Sequence, residues 1–145
     1  MKNLFNSIFF FSLLGGLFVL TSCGEDDGGS TIPPINPGTE TVVGSGFISQ
    51  NTTWTADNIY ELAGYVVVDS GATLTIESGT VIKARTGSGA ASSALVVARN
   101  ATINAQGSPS APIIFTSVLD NIQPGELVGS SLSVDDAGLW GGVII

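Results

Sequence analysis

Chemistry in a protein needs reactive side chains held close together, so those residues come first. The chain has 145 residues and no histidine, which removes the base of a serine triad and the imidazole ligand of many metal sites. Ser92 and Ser93 therefore lack a histidine to activate them. The paired Asp135-Asp136 could ligate calcium through carboxylate oxygens, yet the residues around it lack the spacing of a recognised calcium loop, and the pair reads as part of a solvated excursion. Trp54 and Tyr60 could offer ring faces for a sugar to stack on. Together with Asp135 and Asp136 they form the candidate ligand surface. No residue carries a catalytic assignment, and no metal or other cofactor is expected.

The elements that must position these residues are written as a repeat. Val66 and Leu95, Ala72 and Ala101, Thr73 and Thr102, and Leu74 and Ile103 all stand 29 residues apart. Ile82 and Phe115 stand 33 apart, and the extra residues fall in the turn from Gln106 to Pro112, where an insertion leaves strands untouched. Short bursts of Val, Ile and Thr separated by Gly71, Gly79 and Gly107 are a strand signal. No long stretch after the leader shows helical spacing. Stacked coils about 4.8 Å apart would place like residues on like. Val66/Leu95, Leu74/Ile103 and Ile82/Phe115 then become three inward ladders, with Lys83 and Arg85 pointing out. In the same register Asp69 meets Ala98 and Glu77 meets Gln106, so these acids build no carboxylate ladder. Lys83, Arg85 and Arg99 are the cations a lyase-type base would draw on, and the repeat places no acids beside them.

The expected fold class is all-β, a right-handed parallel β-helix with about two coils and the start of a third. The segments Thr53 to Asn58, Tyr65 to Lys83 and Gly138 to Gly142 resemble β-helix lipoproteins of Gram-negative bacteria over most of the mature chain. That resemblance implies the architecture and carries no catalytic signature.

The N-terminus fits the same picture. Residues 1–22 combine Lys2 with an apolar run from Ile8 to Leu20, broken by Ser12, Gly15 and Gly16, as in a secretory signal. Leu20-Thr21-Ser22-Cys23-Gly24 looks like a lipobox, so Cys23 is expected to become the first mature residue and to carry acyl chains, which in combination anchor stably to a membrane. Cys23 is the chain's one cysteine, so no disulfide forms within it. Glu25, Asp26 and Asp27 follow; in the resembling lipoproteins, acidic residues here act as a signal for export to the outer leaflet. Residues 23–46 read as a flexible tether, rich in Gly, Pro, Ser and Thr. Residues 47–63, denser in apolar side chains, read as an N-terminal cap with Trp54 over the first coil. Residues 64–145 read as the coils, and the apolar run ending in Ile145 suggests the front portion of a longer protein.

Composition limits the partners. The formal net charge is −8, with 4 Lys+Arg against 12 Asp+Glu, which disfavours nucleic acid. The expected partners are the membrane, through the acyl chains on Cys23, and a glycan or surface protein. The function expected is a lipid-anchored outer-membrane scaffold facing the cell exterior, non-catalytic, serving adhesion or glycan binding. The alternative is the front of a β-helical polysaccharide lyase or glycosidase whose active site lies beyond residue 145, a reading from fold analogy.

Overall fold

The computed structural model describes residues 38–145. Within them the chain forms nine strands: β1 (Thr39–Ile48), β2 (Thr52–Trp54), β3 (Asn58–Val68), β4 (Thr73–Ile76), β5 (Val81–Ala84), β6 (Ala94–Val97), β7 (Thr102–Ala105), β8 (Ile114–Ser117) and β9 (Val143–Ile144). A single 3-10 turn covers Gly89–Ala91. Every strand-to-strand ladder is parallel, and each strand pairs with one about a coil away in sequence. Parallel neighbours that never share a hairpin require a crossover, and here the crossover is the rest of the coil. The result is the parallel β-helix that the repeat predicted.

The helix has three faces. The first carries the front half of β1, the front half of β3, β5 and β8; the second carries the back halves of β1 and β3, then β6 and β9. The third carries β2, β4 and β7. The three ladders read from the sequence are all present in register: Val66 beside Leu95, Leu74 beside Ile103, and Ile82 beside Phe115. Leu62, Val66, Val68, Leu74, Ile76, Ile82 and Leu95 are buried in one continuous core. Strand alternation of inward apolar side chains is what fills it.

Turns repeat as faithfully as strands. Gly71 adopts φ +83°, a region that costs most residues with a Cβ. The equivalent position 29 residues on holds Asn100, at φ 65°, and asparagine is among the few side chains that tolerate this conformation. The Gly71 N–H donates to the Asn100 carbonyl at 2.9 Å, which links the two turns.

Two segments differ from expectation. Residues 39–46, read as tether, are strand: β1 pairs with β3 from Thr39/Asn58 to Ile48/Val68. Its Thr-Glu-Thr-Val-Val run suits a pleated backbone, and β3 supplies the hydrogen bonds that would hold it. Residues 47–63, read as a cap, are rungs of the ladder. Phe47 aligns with Val67, Trp54 with Ile76, and Ile59 to Leu62 with Val81 to Ala84. The first coil simply has a shorter period than the 29 residues of the next, so its match to the repeat is hidden.

The long excursion after β8 is packed rather than free. Ile122 is buried against Ile59 and Val81, which face outward from the first sheet. Lys83 also points out of the solenoid, as expected, but this excursion covers it, leaving it 7% exposed. Its Nζ donates to the Asp120 carbonyl at 2.8 Å. Thr116 Oγ1 donates to the Asp120 carboxylate at 2.8 Å, which fixes the same residue from a second side.

Candidate functional site

The corner between the first and second faces is where the backbone departs most from a regular ladder. The β1/β3 register shifts between Gly44 and Gly46, so β3 carries an extra residue opposite Ser45. Gly64 sits at that bulge with φ +111°, and a Cβ there would lie 2.9 Å from the Cβ of Ser45. Only glycine fits both demands. One rung further, the chain between β5 and β6 folds back over the corner. A Cβ on Gly87 would stand 2.1 Å from the Ala91 carbonyl oxygen, so the loop closes on itself only with glycine there. Tyr65 donates from its hydroxyl to the Gly89 carbonyl at 3.2 Å, and Ser93 Oγ accepts from the Gly64 N–H at 3.1 Å.

These contacts leave a cleft of about 440 Å³, lined among others by Ser45, Gly64, Tyr65, Arg85, Thr86 and Ser92. That volume falls within the range of small-molecule sites. The lining is hydroxyl-rich, with one aromatic ring and one guanidinium. Arg85 Nε contacts the Glu61 carboxylate, and the arginine is half-exposed while the glutamate is mostly covered. Glu61 lies directly beside Lys83 in the β3/β5 ladder. Its carboxyl also hydrogen-bonds that of Glu40, which raises the Glu40 pKa; burial and the Glu61 charge push the same way, while Lys83 and Arg85 oppose them. The same hydrogen bond, reinforced by Arg85, lowers the pKa of Glu61.

This arrangement limits the chemistry. Glycosidase carboxylates stand about 5 to 9 Å apart so that a sugar bond or a water fits between them. Glu61 is engaged by Arg85 instead, and Glu40 stands on β1 opposite Ile59, two residues before Glu61 along the same ladder. Ser92 and Ser93 are both buried, and Ser93 serves the backbone at Gly64. The cleft is built to offer hydrogen bonds.

The residues proposed from sequence are placed differently. Trp54 and Tyr60 are 3% and 7% exposed. Their rings stack on one another at a centroid distance of 4.8 Å and 15° between planes. A sugar platform needs open ring faces, and these are spent inside the core; the Tyr60 hydroxyl accepts from the Thr55 N–H at 2.9 Å. Asp135 and Asp136 are exposed, but the Asp136 carboxylate turns to the Ser133 N–H and hydroxyl, each at 2.8 Å. Those two bonds lower its pKa. No group of three or more metal-ligating side chains occurs among the described residues. Cys23, Glu25, Asp26 and Asp27 lie outside the described residues.

Sequence reasoning missed Tyr65 and the Glu40-Glu61-Arg85 chain. Acids do stand beside Lys83 and Arg85, contrary to the expectation from the repeat. Aligning Ile59-Tyr-Glu-Leu62 on Val81-Ile-Lys-Ala84, the pairing seen between β3 and β5, would have found Glu61.

A stack of parallel coils with its ligand-sized cleft at a corner defines a β-helix domain. A family model for a pectate-lyase-like β-helix domain matches residues 46–145, most of the chain, and the chain belongs to that family. Neither the curated proteins nor the solved structures contain a match.

Proposed function

We propose that this protein is a lipid-anchored, surface-exposed scaffold of the outer membrane that binds glycans without cleaving them, at the corner cleft. The observation that supports it is the lining of that cleft, where hydroxyls, a tyrosine ring and an ion-paired arginine surround about 440 Å³. Such a set presents donors and acceptors to sugar hydroxyls. The anchor is Cys23, the export signal Glu25-Asp26-Asp27 and the partners are the membrane and a glycan or surface protein.

Three experiments test this. Metabolic labelling with a fatty acid should mark the wild-type chain and leave Cys23→Ala unlabelled. Protease added to intact cells should remove the wild-type protein, and should spare it when Glu25, Asp26 and Asp27 are all replaced by alanine. Binding to a glycan panel should be lost in Tyr65→Ala, and the glycans should be recovered uncut.

The family description favours a second reading, a polysaccharide lyase or glycosidase, with catalytic groups other than those of this cleft. Release of new reducing ends or of unsaturated sugars by the full chain would establish it in place of the first.

A further inference from the structure

The outer surface of the second face carries a row of apolar side chains. Phe47 aligns with Val67, Val67 with Val96 and Val96 with Ile144, each on the next rung. Phe47 is 72% exposed, and no ionisable side chain interrupts the row. Strand alternation puts Ser45 on the same side as Phe47, and Tyr65, 42% exposed, on the same side as Val67. Ser45 and Tyr65 both line the corner cleft. The polar cleft and the apolar row are therefore one continuous surface.

Charge decides what this surface accepts. The cationic group in the cleft, Arg85, is already neutralised by Glu61, with Glu40 hydrogen-bonded beyond it. Lys83 lies under the excursion after β8 and donates there to a backbone carbonyl. The chain as a whole is at −8. An acidic glycan would meet no free cation in the cleft and a net-negative chain around it; the exposed Arg99 stands in the turn after β6, past the end of the row. A neutral sugar meets matching chemistry, with hydroxyls and an ion pair for its polar edge and an aromatic and aliphatic shelf for its C–H face.

Resting on the glycan reading above, we infer that the ligand is a neutral hexose glycan, seated with its polar edge in the corner cleft and its apolar face on the Phe47-Val67-Val96 row. The test uses the purified full chain in detergent and calorimetric titration with two probe sets of equal length: neutral glucan, mannan and galactan oligosaccharides, and oligogalacturonate. At least one neutral probe should bind, with an affinity that salt hardly changes, and oligogalacturonate should bind at least about tenfold more weakly. Phe47→Ala should weaken the neutral probe about tenfold; the side chain is exposed, so the thermal transition should stay at the wild-type value. Val96→Asp, which places a carboxylate in the row, should abolish binding. Preference for oligogalacturonate, weakened by salt, would overturn the neutral class and leave glycan binding standing. Neutral binding that survives both substitutions would overturn the role of the row. Failure of every probe would overturn this inference and the glycan reading together.

Discussion

Ser93 Oγ accepts a hydrogen bond from the backbone N–H of Gly64, 3.1 Å away, across two rungs whose equivalent residues stand 29 apart. The bond ties the bulged corner of β3 to the loop that leads into β6, and Ser93 is buried. Deleting the hydroxyl leaves a shielded N–H with no partner, which costs about 1–3 kcal/mol. Ser93→Ala should therefore lower stability in chemical denaturation by that amount. Gly64→Ala should do at least the same, because it adds a Cβ at φ +111° against Ser45. A wild-type denaturation midpoint for Ser93→Ala would show that the corner is held by other contacts.

The excursion after β8 is fastened at two points, the buried Ile122 and the bond from Lys83 to the Asp120 carbonyl. Ile122→Ala removes a packed side chain and should cost about 2–4 kcal/mol. The loss should be local. Hydrogen exchange should speed up over residues 118–137 while β4 and β7, on another face, keep their protection. Lys83→Met keeps the buried stem but loses the donor, and should raise exchange at Asp120 and its neighbours more than elsewhere. Uniform exchange across all three faces in Ile122→Ala would mean that the excursion unfolds only with the whole solenoid.

Much of this architecture was legible because a solenoid repeats its side chains at each coil. Val66/Leu95 and Ile82/Phe115 could be paired from residue type alone, and the pairs are in register. Phe47 to Leu62 escaped because the coil they belong to is shorter, and Trp54 looks like a lid until Ile76 is seen beside it. The cleft was illegible for a different reason. Glu40 and Glu61 come from β1 and β3 and Arg85 from the residue just past β5, and their meeting depends on a register that begins at Thr39, inside what composition marks as tether. Burial of Lys83 was also beyond the repeat, since a loop outside the coil pattern produces it.

Trp54 and Tyr60 show how strongly core packing should weigh here. Trp54 stacks on Tyr60 inside the coil, so Trp54→Ala should cost about 3–5 kcal/mol. Tyr60→Phe keeps the ring and deletes the hydroxyl that accepts from the Thr55 N–H; about 1 kcal/mol should be lost. Neutral-glycan affinity should be the same in Tyr60→Phe as in wild type, in contrast to Tyr65→Ala. Loss of binding in Tyr60→Phe with an unchanged thermal transition would return Tyr60 to the ligand surface.

The Glu40-Glu61 pair predicts opposite pH behaviour for its two members. Glu61 has a folded-state pKa below its ordinary value of 4.5, so its contribution to stability is present above that value and is lost as pH falls through the lowered pKa. Glu61→Gln should therefore have a lower Tm than wild type at pH 7, and the gap should close in acid. Glu40 has its pKa raised; ionising it works against the fold, and the penalty is absent below 4.5 and appears as pH rises through the raised value. Glu40→Gln should match wild type in acid and equal or exceed it at pH 7. Glu40 is exposed and the Arg85 that pairs with Glu61 is half-exposed, so the effects should be small and should shrink with added salt. If both Glu61→Gln and Glu40→Gln lower Tm at pH 7, Glu40 does not oppose the fold, and the raised direction of its pKa is wrong.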